Sequence, residues 1–121
     1  MRFIPRSLHA AADYLVGLLV IALPFLFGWD DAATSAFVVA GLAALAYSAV
    51  TDYELGLWKR LPFRVHLGLD VLFVIFMFGA PTLLALPSAS QWAPYLVGAA
   101  GLFLVFTTRL EPNSPAQAAR H

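Results

Sequence analysis

The sequence predicts an all-α membrane protein with four transmembrane helices, arranged as two tandem parallel helix hairpins. Three observations carry this expectation. Hydrophobic residues make up 61% of the 121 positions and charged residues 12%, and mean hydropathy is +0.80, outside the range of ordinary soluble domains. Pro5, His9, Asp13 and Pro24 recur 57 residues later as Pro62, His66, Asp70 and Pro81; the same offset pairs Gly41 with Gly98, Thr51 with Thr108 and Glu54 with Glu111, without a gap. All seven Lys and Arg residues fall at the N-terminus, between the halves or after the last apolar run.

A hydrocarbon layer of ~30 Å takes ~20 apolar residues per helix, and four spans fit: Leu8–Phe27, Ala33–Val50, Val65–Leu84 and Ala93–Thr107. The first follows Pro5 and Ser7, which suit a helix entrance, and Pro24 perturbs or ends it. It reads as a retained helix and not a cleaved signal, because His9 and Asp13 interrupt the apolar stretch and the third span repeats it. Pro81 repeats the helix-end proline. On the second helix, Ala36, Ala40, Ala44 and Ser48 fall at i+4 spacing beside Gly41, a small-residue stripe that permits close helix approach; Gly98 and Gly101 offer a similar surface on the fourth. Trp29 at one outer turn, and Trp92 with Tyr95 at the other, read as membrane-belt anchors, and Pro94 suits the start of the fourth helix.

Between the halves, Thr51-Asp52-Tyr53-Glu54 has the form of a capping box opening a short interfacial segment to Trp58-Lys59-Arg60, and Thr-x-x-Glu recurs at Glu111. The units are therefore 1–57 and 58–111, with 112–121, including Pro112, Asn113, Ser114 and Pro115, read as a disordered tail. The cation distribution puts both termini and the middle connection in the cytoplasm, and Trp29–Asp31 and Pro87–Gln91 outside, in the cell's inner membrane. Both repeats then share one orientation, with their pseudo-two-fold axis along the membrane normal.

Net charge is zero, which gives no basis for nucleic-acid binding, and the absence of cysteine removes disulfides, thiolate catalysis and iron–sulfur ligation. No G-x-S-x-G, Walker A or H-E-x-x-H pattern is present, so no enzyme is expected. Asp30 and Asp31 are adjacent and do not converge, which suits a solvated loop.

Only His9, Asp13, His66 and Asp70 place ionisable groups inside the spans. A spacing of four puts each His-x3-Asp pair on one helix face, about 5–6 Å apart at Cβ. Both pairs lie near the cytoplasmic boundary, so a two-fold arrangement brings them together as a His2Asp2 cluster if their faces meet the axis. A carboxylate in lipid costs ~2.5–3.5 kcal/mol on insertion scales, so each Asp needs a partner: the nearby His, Arg6, Arg64, Arg109 or Tyr47. Three uses are open: a hydrogen-bonded staple between repeats, proton or ion handling, and ligation of a metal or haem by His9 and His66.

Leu23-Pro24-Phe25 with Phe27-Gly28-Trp29, then Ala80-Pro81-Thr82, and the stretch from Tyr47 to Gly56, joined to the two His-x3-Asp pairs, resemble the SPW-repeat small integral membrane proteins of bacteria and archaea. The likeness covers most of residues 3–110. It implies the four-helix repeat fold and brings no activity with it. The sequence thus reads as a non-enzymatic membrane module whose His–Asp pairs staple two repeats, with no cofactor, acting through self-assembly or association with another membrane protein. The alternative is a small proton-coupled transporter or channel subunit that uses the four residues as an ionisable site.

Overall fold

Helix α1 (Arg6–Phe27) starts after Pro5, whose extended backbone (φ −62°, ψ 148°) sets the entrance, and α3 (Phe63–Leu83) starts the same way after Pro62 (φ −59°, ψ 143°). The computed structural model describes residues 2–111, so the reading of 112–121 as a tail lies outside the described residues. A short turn capped by Asp30, whose side chain accepts from the Ala33 N–H at 2.9 Å, leads into α2 (Asp31–Ala49). A 3-10 turn (Ser88–Ser90) leads into α4 (Trp92–Thr107), with Pro94 at its third position. Helices α1 and α2 pack as one hairpin and α3 and α4 as another.

The helix-end prolines do not stop their helices. Pro24 lies inside α1, which runs on to Phe27, and Pro81 lies inside α3, which runs on to Leu83. A proline removes only a bond to the preceding turn, so residues beyond it still bond back normally. What ends each helix is a left-handed residue, Gly28 (φ 66°) after α1 and Ala85 (φ 51°) after α3. The next amides close the turn onto the prolines' carbonyls: Trp29 N–H to Pro24 O and Leu86 N–H to Pro81 O, both 3.0 Å.

All four segments are long and apolar enough to cross a membrane, at 22, 19, 21 and, counting the 3-10 turn, 20 residues. Their burial is the reverse of a soluble bundle. Leu15, Leu26, Leu72, Ile75 and Leu83 are more than half exposed, whereas His9, Ser48, Thr51, His66 and Thr108 are buried. One apolar cluster joins Val20, Leu23, Trp29, Phe37, Met77 and Ala80 towards the α1–α2 turn; a second joins Ala10, Tyr53, Phe63, Leu67 and Val105 at the other end.

The small-residue seams lie where the hairpins close. A Cβ on Gly41 would stand 2.7 Å from the Gly17 carbonyl oxygen and 2.5 Å from Ile21 Cγ1, so α1 and α2 are in backbone contact there. Ala44 is buried beside this crossing and Ala40 packs at the edge of the apolar core. On α4, a Cβ on Gly98 would stand 3.2 Å from Met77 and Phe78 and one on Gly101 3.0 Å from Val74, so that seam meets side chains.

Backbone bonds repeat at the sequence offset. Phe3 and Ile4 N–H both donate to Thr107 O (2.8 and 2.9 Å), as Arg60 and Leu61 donate to Val50 O (3.0 and 2.7 Å). Arg109 N–H donates to Ile4 O (2.8 Å), as Asp52 N–H donates to Leu61 O (2.7 Å). Each chain segment entering a helix pair is thereby tied to a segment leaving one.

Candidate functional site

The i,i+4 pairs turn inward from α1 and α3 and meet. His9 Nε2 lies 2.9 Å from Asp70 Oδ2 and 3.3 Å from Asp13 Oδ1; His66 Nε2 lies 2.8 Å from Asp13 Oδ2 and 3.2 Å from Asp70 Oδ2. The shorter contact of each imidazole is with the carboxylate on the other helix. Two threonines complete the exchange: His9 Nδ1 is 2.7 Å from Thr108 Oγ1, and His66 Nδ1 is 2.7 Å from Thr51 Oγ1. Each imidazole therefore lies close to groups of the opposite half at both nitrogens.

The threonine geometry fixes the tautomer. Thr51 Oγ1 donates back to the Tyr47 carbonyl and Thr108 Oγ1 to the Leu104 carbonyl, both at 2.6 Å. With each hydroxyl proton committed there, each oxygen accepts from the imidazole, so both Nδ1 atoms carry hydrogen. The Nε2 atoms then face the carboxylates.

The carboxylates are held from outside by phenols. Tyr47 donates to Asp70 Oδ1 at 2.7 Å and Tyr53 to Asp13 Oδ2 at 3.0 Å. Burial first, and then the Asp13 charge, push the Tyr53 phenol above its usual range and keep it a donor. Beside the cluster lies a cavity of about 20 Å³, lined by Asp13, Asp70, Tyr47, Ser48 and Phe73 among others, large enough for one water molecule.

Of the cationic partners expected for the carboxylates, none takes that role. Arg6 is buried and donates to the Asp52 carbonyl, with its Nε 3.6 Å from Glu54 Oε1 and its guanidinium 4.7 Å above the Phe63 ring. Arg64 and Arg109 are exposed. The expected partners that arrive are Tyr47 and the histidine four residues before each Asp.

Three further expectations change. The capping box does not form: the connection between the halves holds no helix, Thr51 serves His66, and Glu54 turns to Arg6. Tyr53, read as interfacial, is fully buried beneath the cluster, whereas Leu57 and Trp58 are exposed. Trp29, read as a belt residue, is buried against Phe37 with its Nε1–H donating to Ser90 Oγ at 2.9 Å, because the turns after α1 and α3 fold over the bundle end; Trp92 and Tyr95 stay exposed. The residues missed by sequence reasoning are Thr51, Thr108 and Tyr53. The two threonines had a signal, since they recur at the offset that links the histidines. No family model, curated protein or solved structure matches the chain.

Proposed function

We propose that this is a small integral membrane module of two parallel hairpin repeats, joined through His9, Asp13, His66 and Asp70, with both termini and the connection between the halves on the cytoplasmic side. One observation carries the reading. Each histidine of the quartet lies within 2.9 Å of the other half's Asp and meets a threonine of that half, and the same pairings recur 57 residues apart. In lipid, where apolar side chains gain little by meeting one another, such polar bonds and close backbone contacts are what hold helices together. The exposed leucines and isoleucines suit contact with acyl chains, a second copy or another membrane protein. The SPW-repeat resemblance fits the same reading, which needs no enzymatic step.

Replacing His9 or Asp70 by Ala leaves a buried charge or donor without its partner. A loss of about 3–5 kcal/mol of stability is expected. Thermal unfolding of the detergent-solubilised protein measures it, and unchanged stability would contradict the staple.

The cavity touching Asp13 and Asp70 favours a second reading, a proton-coupled transporter or channel subunit with the quartet as its ionisable site. Proteoliposome flux that disappears in His66→Ala, with the fold intact, would select it.

A further inference from the structure

The geometry points to the His9–Asp13–His66–Asp70 cluster as a binding site for one divalent first-row transition metal ion, zinc in the first instance. This rests on the cluster's own hydrogen bonding and not on the staple reading. Four donor groups from two helices converge, with one ligand atom from each lying within 4.8 Å of the others. Two are imidazole nitrogens and two are carboxylates, with no sulfur among them, a set that suits zinc or iron(II) better than calcium or copper(I).

The outer partners argue most strongly. Each Nδ1–H is consumed by a threonine oxygen whose own proton is committed to a carbonyl, so an ion that displaces the Nε2 protons would meet two Nε2 lone pairs at the centre. The carboxylates present further lone pairs, and the phenols that donate to them, Tyr47 and Tyr53, approach from outside the cluster. Metal-ligating histidines characteristically donate their second N–H outward and ligating carboxylates accept from fixed donors, and that is the arrangement here. With the Nε2 protons displaced, two imidazoles and two carboxylates carry a charge of −2, which a divalent ion cancels.

A second observation is independent of this counting. His66 Nε2, on a residue with 0% exposure, has no aligned hydrogen bond although two carboxylate oxygens lie 2.8 and 3.2 Å away. The nitrogen points at neither oxygen. The four N···O separations of 2.8 to 3.3 Å run up to the edge of a tetrahedral zinc site, about 3.3 Å for metal–ligand bonds of about 2.0 Å. A small outward relaxation of the shorter contacts would seat the ion.

Chelator-stripped wild-type protein in detergent is titrated with ZnCl2 alone, then desalted for elemental analysis. One zinc per chain is expected, with a rise in the thermal midpoint, and Co2+ in its place should give the visible absorption of four-coordinate cobalt. The His9→Gln/His66→Gln double variant should retain no zinc. Thr51→Val, which keeps every ligand and removes only an outer partner, should bind zinc 10–100-fold more weakly. The proposal fails if wild type retains no zinc, the result expected of a cluster filled by protons only, or if the double variant retains as much as wild type. If the double variant does not fold, wild-type stoichiometry and Thr51→Val still decide. Unfolding of metal-free wild type against His9→Ala tests the staple separately, so either idea can fall alone.

Discussion

The two hairpins carry the same His, Asp and Thr at matched positions but surround them differently. Around the cluster the first hairpin supplies both phenols, Tyr47 for Asp70 and Tyr53 for Asp13; the positions 57 residues on hold Leu104 and Leu110. Arg6, stacked on Phe63, has that same phenylalanine as its own counterpart. At the helix crossings, Gly17 and Gly41 bring the first hairpin's backbones together, whereas Val74 occupies the position matching Gly17 in the second. The inner polar bonds tolerate little variation because each is reciprocal, while packing around them can be solved with different volumes. The recurring residues thus form the centre of the bundle, and the residues around them differ between the hairpins.

The most discriminating effect separates bonds between halves from bonds within one. In double-mutant cycles, His9→Ala with Asp70→Ala should show a coupling of about 1–2 kcal/mol, the upper part of the range for polar pairs in bilayers. His9→Ala with Asp13→Ala, on the same helix, should show less. Equal couplings would mean that the i,i+4 pairs stabilise individual helices and that the exchange between halves adds nothing.

The crossings should respond next. Gly41→Ala pushes a methyl against the Gly17 carbonyl, which cannot move without its helix, and should cost about 1–3 kcal/mol. Gly98→Ala meets the Met77 and Phe78 side chains at 3.2 Å, which can shift, and should cost less. Unfolding midpoints of the two variants measured side by side check the order. A reversed order would place the tight seam in the second hairpin.

The smallest effect lies at the helix ends. Gly28→Ala puts a Cβ on left-handed backbone and should destabilise by about 1 kcal/mol, whereas Ala85→Gly relieves the same strain in the second hairpin and should stabilise by less than about 1 kcal/mol. Opposite signs for these two substitutions, read from thermal unfolding, would establish that the two caps are equivalent.

Much of this architecture was legible in the residues themselves. The helices follow the apolar runs to within two residues at each end, because helix length and apolarity are local properties that one segment carries alone. The quartet was legible too, since an ionisable group in an apolar run has no other tolerable place than the protein interior. Trp29 and Tyr53 were misread for the complementary reason: an aromatic with a polar tip serves equally at an interface or in a core, and only the folding of the turn or connection over the bundle chooses.

By itself, then, the chain determined four apolar helices, a recurrence at 57 residues and the need to bury two His–Asp pairs, all consequences of composition and spacing. Tertiary structure alone decided that each imidazole reaches the other half's carboxylate, that threonine hydroxyls fix both tautomers, and that Arg6 serves the connection and not the cluster. Those outcomes depend on distances between segments far apart in the chain, and on which donor is already committed elsewhere. No local pattern encodes either.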